Sequence, residues 1–98
     1  MTDHLRLHLV VRGRVQGVGF RWSCRAEAEA RGLAGYAVNR DDGSVEIELD
    51  GPRDDVRAVA AWARHGPPGA LVDDLIEREI LPSEAGSANR PVTGFRVG

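Results

Sequence analysis

Two glycines and an arginine raise the first chemical question. In GRVQGVGFR, residues 13 to 21, Gly17 and Gly19 interrupt an apolar stretch and a helix-forming sequence follows, which puts Arg21 on the first turn of that helix. A helix start carries a partial positive charge and four N–H groups without intrahelical partners, so acidic or hydroxyl side chains are its usual companions. A second positive charge there becomes favourable when an anion sits between the guanidinium and the helix end. A strand that turns through glycines into a helix also gathers backbone N–H groups into a concave nest suited to phosphate. Glycine permits the unusual dihedrals and lets an oxygen approach with no Cβ in the way. The plainer alternative, a tight turn with an exposed Arg21, uses the same residues.

Other chemistries fit less well. All thirteen basic residues are arginine, and without lysine there is neither a P-loop lysine nor a Schiff-base lysine. The loop is not a dinucleotide GxGxxG either. GVGF resembles the aromatic motif of RNA-binding sheets, but here it opens a helix, and with five aromatic residues and a net charge of −2 nucleic acid is not an expected partner. His4 and His8 would lie about 13 Å apart on a strand, too far to share a metal ion. His65 has no ligand partner at useful spacing, so no metal or other cofactor is expected.

Cys24 follows Phe20 by one helical turn and reads as a core thiol, not a nucleophile. Ser23 has no recognisable triad context, and Asp41-Asp42 reads as a turn. Such machinery is poorly equipped to expel an alkoxide. An acyl phosphate is different, because its carboxylate leaving group has a conjugate-acid pKa of about 4 and departs without an acid's help. Positioning and charge stabilisation then suffice. Asn39, at the end of a neighbouring strand, could hold the attacking water; as a turn-forming residue before Asp-Gly it has an equally good local explanation.

The elements that must position these residues are mostly readable. Leu5, Leu7, Leu9 and Val11 alternate with other residues as in a half-buried strand. FRWSCRAEAEARG then places Phe20, Cys24 and Ala28 on one helix face, with Gly32 as a stop. LAGYAVN and Ser44 to Asp50 flank Arg40-Asp41-Asp42-Gly43 as a hairpin. After Asp50-Gly51-Pro52 a second helix carries Val56, Val59, Ala60 and Ala63 as its apolar stripe, flanked by Trp62, and ends at HGPPG, 65 to 69. LVDDLIEREIL, 71 to 81, is ambiguous: Val72, Ile76 and Ile80 are spaced like a helix face. Residues 82 to 93 have loop composition, and 94 to 98 read as a short edge strand. With 71 to 81 as a strand, the order is β-α-β-β-α-β, an α+β ferredoxin-like sandwich with an antiparallel sheet and two helices on one face.

Ninety-eight residues, 42% hydrophobic and 29% charged, fit one ordinary globular domain, residues 1–98. Neither a signal-peptide pattern nor a membrane span is present, so a cytoplasmic protein without a membrane partner is expected. The single cysteine rules out an internal disulfide framework. Charge is uneven: residues 1 to 26 hold five arginines against Asp3, the remainder eight against fourteen acids. The basic end is also the glycine-loop end.

VRGRVQGVGFR, 11 to 21, resembles the signature of the acylphosphatases over its whole length. GYAVN, 35 to 39, followed by Gly43, Val45 and Gly51, is similar to that family's asparagine-bearing strand and hairpin, and GPPGA, 66 to 70, to its usual ending of the second helix. The resemblance spans about residues 5 to 97 and implies the ferredoxin-like βαββαβ sandwich, with 71 to 81 as a strand. It further implies metal-independent hydrolysis of a small-molecule acyl phosphate to carboxylate and inorganic phosphate, by a monomer. The family's phosphate-binding arginine falls on Arg21 and its water-orienting asparagine on Asn39. Backbone N–H groups of Gln16, Gly17, Val18, Gly19 and Phe20 would hold the phosphate oxygens. Two other readings stay open: a related module within hydrogenase-maturation proteins binds carbamoyl phosphate or another phosphoanhydride, and a degenerate relative would bind an anion without turnover.

Overall fold

Alternation in the first strand sets the architecture. The computed structural model describes residues 4–81 and 94–98. Strand β1 (His4–Arg14) buries Leu5, Leu7, Leu9 and Val11 on one face and leaves Arg6 and His8 half-buried on the other. Strand β3 (Val45–Pro52) answers with Val45, Ile47 and Leu49. The two run antiparallel, with Leu7 opposite Leu49, Leu9 opposite Ile47 and Val11 opposite Val45. Directly opposed pairs of this kind fix register, because a slip of one residue would turn the whole apolar row into water.

Strand β2 (Ala34–Asn39) lies antiparallel to β3, and β4 (Leu71–Glu79) antiparallel to β1. The short β5 (Phe95–Val97) joins β2 in parallel, giving the order β4-β1-β3-β2-β5. The sheet is therefore mixed: its four long strands form the antiparallel set expected, and β5 is the edge strand read at 94 to 98.

Both helices cover one face. Helix α1 (Phe20–Ala30) packs on β2 and β5, and α2 (Arg53–Ala63) on β1 and β3. Phe20, Cys24 and Ala28 of α1, and Val56, Val59, Ala60 and Ala63 of α2, are buried as their spacing predicts. Helix α1 ends in a Schellman motif: the N–H of Gly32 donates to Glu29 and that of Leu33 to Ala28, with Gly32 at φ 69°. Leu33 is buried, so the chain enters β2 already anchored to the core.

Within the 71 to 81 segment, Leu71–Glu79 is a strand, and its lack of clean alternation has a structural cause. Arg12 pairs with Asp74 but Gly13 pairs with Val72, so Asp73 is an extra residue in a bulge. A bulge reverses the alternation. Val72 and Leu75, three apart, consequently both pack against the core. Further along the same face Glu77 accepts an ion pair from Arg57 of α2 at 2.7 Å. The expected loop at 82 to 93 lies outside the described residues.

Candidate active site

The loop between β1 and α1 is anchored at both ends. Beyond Val11, β1 leaves β3 and continues beside β4 only. At Gly13 the two backbones come so close that a Cβ would stand 2.2 Å from the Leu71 carbonyl oxygen. Val15 and Phe20 are buried, and between them Gly17 and Gly19 take left-handed φ values of 76° and 78°. Neither has an atom within 4 Å of its would-be Cβ, so dihedral and not space selects glycine there. Gly19 is the N-cap of α1; it offers no side-chain cap, and the first turn contains no acid. Arg21 is thus a cation at an uncapped helix start.

Asn39 reaches this end of the molecule from β2. Gly35 and Ala37 are buried, and alternation puts Asn39 next on the helix-bearing face, exposed because it is the strand's last residue. It stands opposite Val45, which in turn stands opposite Val11, so the three occupy one row across the sheet. Two connections draw the loop and helix towards it. Gln16 donates from Nε2 to the carbonyls of Arg40 and Ser44 at 2.8 and 2.9 Å. Arg21 donates from Nη1 to the carbonyl of Gly98, whose own N–H donates to Ala37 at 3.0 Å. Loop, Arg21 and Asn39 therefore share one end of the sheet. Sequence reasoning assigned Gln16 a role through its backbone alone; nothing local announces the reach of its side chain.

The turn after Asn39 is stiffened by Asp42, which accepts from the Ser44 hydroxyl at 2.5 Å and the Ser44 N–H at 2.9 Å. The hydroxyl, then the N–H, hold its carboxyl below the usual range, with Arg40 and Arg12 nearby adding to the effect. That is the turn role read from sequence. Cys24 is fully buried, and burial, reinforced by Glu27, pushes its thiol up to about 12, so it is no nucleophile at neutral pH. His4 pairs with Asp50 and His8 with Glu46 on the sheet face away from the helices, and His65 is exposed. Among the described residues no three His, Cys, Asp or Glu side chains could hold one metal ion, and no helix is long and apolar enough to cross a membrane.

These features define a ferredoxin-like α+β domain with a glycine loop and an uncapped, arginine-bearing helix start at one end of its sheet. Comparison with known proteins takes the assignment further. A model of the acylphosphatase family matches residues 7–90. An acylphosphatase of Pyrobaculum arsenaticum is 54% identical over 71 residues, 71% of this chain and 75% of that protein. The structure of an acylphosphatase from Coxiella burnetii superposes with a TM-score of 0.85 at 34% identity, covering 98% of this chain and 94% of that one. The chain belongs to the acylphosphatase family. The fold also matches part of HypF from T. kodakarensis, at 29% identity and a TM-score of 0.78, over 96% of this chain and 12% of that one.

Proposed function

We propose that the protein hydrolyses an acyl phosphate to a carboxylate and inorganic phosphate, with no metal in the reaction. One observation carries the mechanism: the uncapped start of α1, its two left-handed glycines, Arg21 and Asn39 lie at the same end of the sheet. N–H groups of Gln16, Gly17, Val18, Gly19 and Phe20 take the phosphate oxygens, and the helix dipole adds to their potential. Arg21 pairs with the same oxygens and stabilises their charge as the P–O bond to the acyl group lengthens.

Asn39 orients a water for in-line attack on phosphorus. The P–O bond to the water forms, the bond to the carboxylate breaks, and the water's proton passes to a phosphate oxygen. No protein base is needed in this scheme. The leaving carboxylate takes the bonding electrons without protonation, since its conjugate acid has a pKa of about 4.

Benzoyl phosphate hydrolysis by the purified protein, with and without EDTA, tests this reading. Turnover unchanged by the chelator supports it. A folded protein that is stabilised thermally by inorganic phosphate but releases no benzoate is an anion-binding module instead.

A further inference from the structure

Where β1 peels away from β3, a side chain takes over. We propose that Gln16 is a positioning residue, coupling the phosphate loop to Asn39 through the β2–β3 turn; this rests on the acylphosphatase reading above. Its Nε2 donates to Arg40 at 2.8 Å and to Ser44 at 2.9 Å, across 24 and 28 residues of chain. Only the NH2 end of the amide can meet two carbonyls, so the orientation of the side chain is fixed by chemistry.

Both carbonyls are already part of the turn. Arg40 donates its N–H to the Ser44 carbonyl at 2.9 Å, and Gly43 donates to the Arg40 carbonyl at 3.1 Å. A carbonyl oxygen has two lone pairs, so Gln16 takes the second acceptor position on each. Arg40 follows Asn39 and Ser44 precedes Val45, and Asn39 and Val45 are the last pair of the β2–β3 ladder. Gln16 therefore grips carbonyls of the two residues that flank the Asn39–Val45 pair, one on each side of the turn.

The same residue begins the loop whose N–H groups face the phosphate. One side chain thus sets the distance between the site holding phosphorus and the site holding water. In-line attack demands that distance. The side chain of Gln16 does not itself hold phosphate, since both its N–H donors are committed and its remaining oxygen can only accept.

Steady-state hydrolysis of benzoyl phosphate separates this role from others, using Gln16→Ala, Gln16→Glu, Asn39→Ala and the double variant Gln16→Ala/Asn39→Ala. Gln16→Glu keeps the size of the side chain but replaces the donor with an acceptor. Both Gln16 variants should lose kcat by about 10- to 100-fold, the usual penalty for displacing a reacting group by about an ångström. KM and competitive inhibition by inorganic phosphate should move by less than about threefold, because phosphate binding survives. The double variant should be no slower than Asn39→Ala, since a misplaced water site has nothing left to misplace.

Wild-type kcat in the Gln16 variants, losses that multiply in the double variant, or a loss confined to KM and phosphate inhibition would each overturn the positioning role while leaving the acylphosphatase reading intact. A wild-type protein without turnover overturns both.

Discussion

The ring of Phe20 meets that of Trp62 with centroids 5.2 Å apart and planes tilted by 55°. Phe20 is the first residue of α1 and Trp62 sits in the last turn of α2, so this contact ties the start of one helix to the end of the other. It also holds the end of the glycine loop in the core, one residue before Arg21. Packing and site geometry meet here.

Removing the Phe20 ring should therefore cost stability and activity together. Phe20→Ala leaves a cavity at a fully buried position and is expected to lower unfolding stability by about 3–5 kcal/mol, whereas Phe20→Leu, which keeps part of the apolar volume, should cost less than Phe20→Ala. Urea titration followed by tryptophan fluorescence reads both. Equal losses for the two variants would show that the ring does not fill this space as described.

Arg21 and Asn39 should fail in different ways. Arg21→Gln removes a charge from bound phosphate and from the transition state, so kcat/KM should drop by about 10²–10³-fold and inhibition by inorganic phosphate should weaken. Asn39→Ala should lower kcat while phosphate inhibition stays near the wild-type value. The opposite pattern, with Asn39 controlling phosphate affinity, would reverse the two assignments.

Two loop glycines test dihedral against space. At Gly19, with open surroundings and φ 78°, Ala pays for the left-handed backbone alone, about 1–2 kcal/mol, and Asn should recover part of that loss. At Gly13 an added Cβ would meet the Leu71 carbonyl at 2.2 Å and the Asp73 N–H nitrogen at 2.8 Å. Backbone cannot swing aside like a side chain, so Gly13→Ala should cost about 3 kcal/mol or more and loosen β4. Denaturation midpoints rank the three variants, and Gly19→Ala proving the worst would contradict this order.

Acid should weaken a network on the open sheet face. Glu46 accepts from the Tyr36 hydroxyl at 2.7 Å and lies 2.9 Å from His8 Nε2. Tyr36 first, then His8, hold its carboxyl below the ordinary value of 4.5. The native state then binds fewer protons than the unfolded chain, so this stabilisation is complete above that ordinary value and is lost as pH falls through the depressed native one. Glu46→Gln should be less stable than wild type near neutrality, and the gap should close in denaturant titrations as pH falls below the ordinary value of 4.5 and through the depressed native one. A gap independent of pH would place the effect in packing instead of charge.

Much of this arrangement is local and was legible in the residues. The strict alternation of Leu5, Leu7, Leu9 and Val11, the four-residue spacing of Phe20, Cys24 and Ala28, and the turn around Asp42-Gly43 each specify an element through near neighbours. Arg21 stood out because its charge conflicts with its place on the helix. The strand at 71 to 79 was obscured because its bulge depends on where Gly13 of another strand pairs, and because its inward Glu77 is served by Arg57 from α2.

The sequence by itself determined the helices, the hairpin and the glycine loop, since each rests on dihedral preference or on periodic burial within a dozen residues, and its 11 to 21 motif carried the resemblance to the acylphosphatases. Only the tertiary structure decided the bulge in β4, the parallel seating of β5 and the grip of Gln16 on Arg40 and Ser44. A long polar side chain carries no period and no dihedral demand. Its partners are chosen by whichever carbonyls the folded chain brings within about 3 Å, and those lie far away in sequence.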